Sequence, residues 1–282
     1  MNTTATNTEV PKVILNILDK HLAPCTAYCI GSRTQFNNKS TTLLNEQDET
    51  NTEYVHFNIV VFTKESLLEK ARLAADDVKE VSNSRLSVSI LAHRLQHLQT
   101  LNACQQWFFY NVLRDGQRLC LDTKNVPYLP FNQIPQRNAE AAKTYWLKCE
   151  AVADFHLNAA NSNHLDVELI KISLLHTVAE FVCLGLIRVV MGYTPNNHAL
   201  RYLMELCKHF TDLPKQLFPQ NDEVSVLRLK RLLAPPSMLR HWDRLEVPEA
   251  DFTILYDTCK EFLKQARTLA TTKLEGLENN QK

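Results

Sequence analysis

His176 and Glu180 stand one helical turn apart in the most apolar stretch of the chain, a spacing that places an imidazole and a carboxylate on one helix face. Such a pair could line a nucleotide pocket. The plainer alternative is an intrahelical pair or a core hydrogen bond, since neighbours at this spacing interact routinely. Gly31-Ser32-Arg33 follows a short strand, Thr26 to Ile30, and reads as a tight turn. Backbone amides at a glycine turn can hold an anion such as phosphate, and Asn58 lies on the strand that comes next. His93 and His97 are also placed one turn apart, but a zinc site takes four ligands and no third appears at a defined spacing. Trp107-Phe108-Phe109-Tyr110 could stack bases, although aromatic side chains on an apolar helix first of all build core. The densest basic patch is Arg228, Lys230 and Arg231 with Arg240, His241 and Arg244, read as solvated helix surface.

These groups need elements to position them. From Ile170 to Met191, Leu174, Leu175, Val178, Phe181, Val182, Leu186, Val189 and Val190 recur at helical spacing and leave a narrow polar edge of Lys171, His176, Glu180 and Arg188. A helix this apolar is buried on several sides. Gly192 can take the left-handed conformation that ends a helix, Pro195 cannot continue one, and Asn197 offers an oxygen to the amides of the next helix, which His198 begins. Tyr193 lies inside that break.

Upstream, a helix over 10–23, a strand 26–30, a polar loop 32–53, a strand 54–63, a helix 64–81 and a strand 86–92 alternate in the manner of an α/β domain. An aromatic helix follows, and Asp115-Gly116 turns into a short strand, 118–121. Pro127, Pro130 and Pro135 then mark a linker near 122–136. Beyond it everything reads helical: 135–161, 165–191, 198–211, 222–233 and 248–277 form an up-and-down bundle. The expected class is α+β, with domains 1–126 and 127–282.

With 45% hydrophobic and 22% charged residues, the chain can bury substantial cores. Lys plus Arg and Asp plus Glu number 31 each, so the excess of positive charge that extended DNA binding needs is missing, while a local RNA site stays open. The 8 cysteines are scattered, and the one close pair, Cys25 and Cys29, has no second pair at zinc spacing; they read as reduced, buried thiols. No secretory pattern opens the chain, which predicts a cytoplasmic protein. The helix over 165–191 has the length to span a bilayer, but Lys171, His176, Glu180 and Arg188 would be costly there, so no membrane is expected.

Tyr28-Cys29-Ile30-Gly31-Ser32-Arg33 and the segment from Trp107 through Gly116 to Leu119 resemble a nucleotidyltransferase-like domain. His176 to Glu180 and Gly192-Tyr193-x-Pro195-x-x-His198-x-Leu200-x-x-Leu203 resemble a HEPN domain, a helical module named for nucleotide binding. The resemblance implies a Gly-Ser turn that holds triphosphate, then two carboxylates one residue apart on the next strand to bind magnesium. Here those positions fall on His56 and Asn58, and the following strand offers no third acid. Oxygen ligands are what magnesium demands, so no magnesium and no nucleotidyl transfer are expected. Ribonucleases of the HEPN type carry an arginine and a following histidine with four to six residues between them, and no such spacing occurs; Arg85 to His93 and Arg201 to His209, each with seven residues between, come closest. The resemblance therefore implies a non-catalytic protein that binds a nucleotide, RNA or a partner. Gly31, Ser32, Arg33 and Asn58 would hold phosphate, and His176, Glu180, Tyr193, His198, Arg240 and His241 would line a groove of the helical domain. A homodimer paired through that domain is expected from its apolar helix. The enzyme alternative is a HEPN ribonuclease or nucleotidyltransferase of a toxin–antitoxin type with rearranged residues.

Overall fold

The structure is a computed structural model that describes residues 9–23, 26–39, 50–65, 67–96, 101, 103–119, 133–162, 167–239 and 247–279. The chain is α+β and divides into two compact units, Met1–Pro135 and Gln136–Lys282.

The first unit runs α1 (Lys12–Leu22), β1 (Thr26–Lys39), β2 (Thr50–Thr63), α2 (Leu68–Val81), β3 (Leu86–Arg94), α3 (Ala103–Asp115) and β4 (Gln117–Leu119). Its sheet is mixed, in the order β3-β2-β1-β4. β1 pairs antiparallel with β2 and with β4, whereas β2 and β3 are parallel, joined by the α2 crossover. The elements follow the expected order, but the parallel strand–helix–strand crossover typical of an α/β domain is confined to β2–α2–β3. One face of the sheet is apolar and covered: Ala27, Cys29, Phe57, Ile59, Val61, Val88, Ile90, Ala92 and Leu119 pack with Ile14, Leu18 and Leu22 of α1 and Ala71, Ala74 and Val78 of α2. The opposite face meets α3 at one end, where Phe109 lies 6.0 Å from Phe62 and edge-on to His93 at 4.9 Å.

Three expectations fail in this unit. Gly31-Ser32-Arg33 is no turn but the middle of β1, and the polar stretch read as a loop continues as strand to Lys39 and resumes at Thr50. Cross-strand pairing wins here over the weak strand propensity of Asn, Thr and Gln, because each residue added to a hairpin ladder closes backbone hydrogen bonds. His93, moreover, lies on β3 and not on a helix, so the one-turn relation to His97 disappears; His97 itself lies outside the described residues.

The second unit is helical throughout its described residues: α4 (Ala139–Ala160), α5 (Glu168–Met191), α6 (Leu200–Cys207), α7 (Leu213–Leu217), α8 (Glu223–Leu232) and α9 (Glu249–Asn279). Local signals set the ends. Asn138 accepts from the Ala141 amide to open α4, and Asp222 and Ser225 form a reciprocal capping box on α8. Gly192 closes α5 in the left-handed region at φ 68°. Asn197 Oδ1 accepts from the Ala199 amide at 3.0 Å, as its position suggested, although α6 begins at Leu200 and ends at Cys207. α5 is the axis of the unit: Leu175, Val178, Ala179, Cys183, Leu186 and Ile187 are wholly buried. By length and composition α5 could cross a membrane, yet most of its apolar window is covered within the unit.

Candidate functional site

β1, β2 and β3 build a polar patch on the α3 side of the sheet, beyond the end that α3 covers. Cross-strand partners share a face. His56 stands opposite Arg33 and Ser87, and Asn58 opposite Gly31 and Ser89. Both ring nitrogens of His56 are engaged: Nδ1 lies 2.7 Å from Ser87 Oγ and Nε2 3.0 Å from Ser89 Oγ. A neutral imidazole has one donor and one acceptor nitrogen, so one hydroxyl accepts and the other donates. Asn58 is 2% exposed, and its Oδ1 is buried and accepts no hydrogen bond. Arg33 Nε and Nη1 are likewise shut off from solvent.

The register contains a bulge between Cys29 and Gly31, where Ile30 is the extra residue. It reverses the alternation of everything after it. Cys29 belongs to the core face with Ile59, and Gly31 to the polar face with Asn58. Ser32, opposite Phe57, consequently lies on the α1/α2 side, away from Gly31, Arg33 and Asn58. The structure thus brings together three of the four residues expected to hold phosphate and separates the fourth. A hard divalent cation fits this patch poorly, because its donors are imidazole, amide and hydroxyl groups with an arginine among them. No group of three or more His, Cys, Asp or Glu that could hold a metal occurs among the described residues.

In the helical unit the structure brings together two of the expected groove residues, Glu180 and His198, and sends His176 elsewhere. His176 is buried, and its Nδ1 meets the Leu232 carbonyl at 2.8 Å, tying α5 to the end of α8. Glu180 instead approaches His198, 3.9 Å away. The two residues are one turn apart, but each serves a different neighbour. Tyr193 is fully buried, and burial pushes its phenol well above the ordinary range. Arg240 and His241 lie outside the described residues. In the basic patch Lys230 is exposed as expected and Arg244 lies outside the described residues, but Arg228 Nε lies 3.0 Å from Asp251 Oδ1 and Arg231 donates to Asp251 Oδ2, so one buried carboxylate of α9 holds two guanidinium groups of α8. Within the unit α5 packs against α4, α6, α8 and α9.

Sequence reading passed over a second cationic cluster. Arg137 donates to the Arg188, Val189 and Val190 carbonyls and so caps the C-terminal end of α5, where positive charge is favoured. Arg188 is itself buried and donates to the Gly192 carbonyl at 3.2 Å, with its guanidinium 5.8 Å from the Tyr145 ring centre. Burial, and then the charge of Arg188, pull the Arg137 guanidinium down to about 10. Arg188 was visible as part of the polar edge of α5; nothing local to Arg137 pointed to the carbonyls it serves.

No protein-family model matches the chain, and neither does any curated protein.

Proposed function

We propose that this chain is a cytoplasmic ligand-binding protein rather than a catalyst: a nucleotidyltransferase-like unit without its metal-binding carboxylates, joined to a HEPN-type helical unit, with a nucleotide as its ligand. One observation carries the reading. His56 and Asn58 occupy neighbouring same-face positions on the central strand β2, opposite Arg33 and Gly31, where metal-dependent nucleotidyl transfer would require carboxylate oxygens. With imidazole and amide in those places the face can orient and hold a ligand through hydrogen bonds and the Arg33 charge, but it has no group suited to gather magnesium around a triphosphate. The alternative, transfer or RNA cleavage by rearranged residues, predicts turnover of labelled nucleoside triphosphate or RNA that Arg33→Ala abolishes.

The reading is tested by restoring what was lost. In the double variant His56→Asp with Asn58→Asp, two carboxylates stand one residue apart on β2. Manganese titration followed by electron paramagnetic resonance should reveal a saturable site in the double variant and none in the wild type. A double variant with the wild-type circular dichroism spectrum and no gain in manganese binding would sink the assignment.

A further inference from the structure

We infer that the outer face of α8 is a contact surface for a second copy of this chain, two α8 helices packing antiparallel about a two-fold axis that passes between Val226 and Leu227. This contact is independent of the ligand read for the sheet face, and it lies on α8, not on α5.

The inward side of α8 is anchored at several points. Leu229 and Leu232 are buried, His176 Nδ1 meets the Leu232 carbonyl, and Asp251 holds Arg228 and Arg231, so the helix presents its opposite side in a fixed orientation. That side is not uniformly polar, as a solvated helix face would be. Val224, Val226 and Leu227 are 60%, 43% and 48% exposed, three large apolar side chains within four consecutive residues. Glu223, Val226, Leu227 and Lys230 stand at i, i+3, i+4 and i+7, the spacing of one continuous stripe. The same four line an open cavity of about 470 Å³ together with the chain that leads into α8. Glu223 and Lys230 are exposed, and neither makes an ion pair among the described residues. Asp222 beside them is already engaged, because its Oδ1 accepts from the Ser225 amide as the cap of the helix.

The order along the stripe chooses the occupant. An acid stands at one end, a base at the other, and an apolar pair midway between them. A two-fold axis through the midpoint exchanges the ends. Glu223 of each copy then faces Lys230 of the other, and Val226 and Leu227 close against Leu227 and Val226 of the second copy. A surface that is its own complement is what an isologous contact requires. Parallel packing would instead set Glu223 against Glu223 and Lys230 against Lys230, a like-charge juxtaposition that selects against that register. A different protein would have to bring the same acid, apolar pair and base in reverse order; this chain already carries them. Two turns of one helix offer less than the roughly 1,200 Å² at which stable interfaces begin, so the pairing is reversible and set by concentration.

Sedimentation equilibrium of the full chain from about 5 to about 500 µM tests this contact. The wild type should pass from monomer to dimer within that range and go no further, because a two-fold contact is closed. Leu227→Asp enters the contact twice and should weaken association by about tenfold or more. Glu223→Lys alone and Lys230→Glu alone should each weaken it several-fold, since each turns both opposite-charge pairs into like-charge pairs. An equimolar mixture of these two variants should associate as the wild type does, because the mixed dimer regains both pairs. All three substitutions lie on exposed positions and should leave the circular dichroism spectrum unchanged. Three results would overturn the inference: a wild type that stays monomeric throughout, which leaves the face to a different partner; dimers that Leu227→Asp does not weaken, which puts the contact elsewhere; and a mixture that associates no better than its components, which excludes the antiparallel register.

Discussion

A single carboxylate, Asp251, holds two arginines of the helical unit. Asp251 is buried in the first turn of α9 with Arg228 and Arg231 on either side, each about one-fifth exposed. Two like charges are brought close only because the carboxylate lies between them. Removing it leaves both guanidinium groups partly desolvated and mutually repulsive, and breaking a buried pair costs more than never having made it. Asp251→Asn should therefore lower stability by about 2–3 kcal/mol, read as a lower urea midpoint at unchanged slope, with Asp251→Glu recovering part of the loss. A loss below ~0.5 kcal/mol would mean that solvent screens these arginines as it screens ordinary surface pairs. Arg228 and Arg231 looked like solvated surface in the sequence because one helical turn of cations has the same pattern whether it faces water or a carboxylate twenty residues further on. The same limit hid the His56 contacts with Ser87 and Ser89, which depend on strand pairing and leave no mark in either segment alone.

At the level of elements, the crossing of α4 and α5 is set by a glycine. A Cβ placed on Gly185 would stand 2.6 Å from Trp146 Cε3 and 3.2 Å from Cys149 Cβ, so the two helices approach as closely as they do because residue 185 has no side chain. Alanine would gain ~1 kcal/mol in helix propensity. Against that, the indole is buried and has little room to yield, and overpacking costs about 1–3 kcal/mol. The clash should win. Gly185→Ala is expected to be destabilised by about 1 kcal/mol or more in chemical denaturation, and Trp146→Leu should be less harmful in the Gly185→Ala background than in the wild type, because it removes the atoms in the way. Additive effects would show that the helices simply move apart. Elements of this kind were largely legible: the stop at Gly192, the restart after Asn197 and the burial of α5 follow from residues within one turn of each other. β1 was not. A bulge is defined by the pairing of two strands, so the reversal that sends Ser32 and Arg33 to opposite faces has no local signal, and glycine followed by serine suggested a turn where the hairpin ladder runs on.

Across the whole molecule, the titratable groups buried against their chemistry are unevenly divided between the two units. In the helical unit burial pushes the Cys149 thiol up to about 12, raises those of Cys207 and Cys259 as well, and raises the Tyr193 and Tyr202 phenols. In the sheet unit only Cys29 among the described thiols is raised in this way, again by burial. Below the ordinary thiol value of 9.0 both folded and unfolded chains keep these protons, and stability is indifferent to them. As pH rises past that value the unfolded chain releases protons that the folded chain retains, so folded stability falls until the folded groups titrate as well. The helical unit, with more such groups, should lose more. Pulse alkylation across a urea titration, mapped by mass spectrometry, gives each unit its own midpoint through Cys29 on one side and Cys149, Cys207 and Cys259 on the other. Between about pH 7 and about pH 10 the midpoint of the helical thiols should fall clearly further than that of Cys29. Equal shifts would mean that the buried thiols and phenols of the helical unit reach solvent before the unit unfolds.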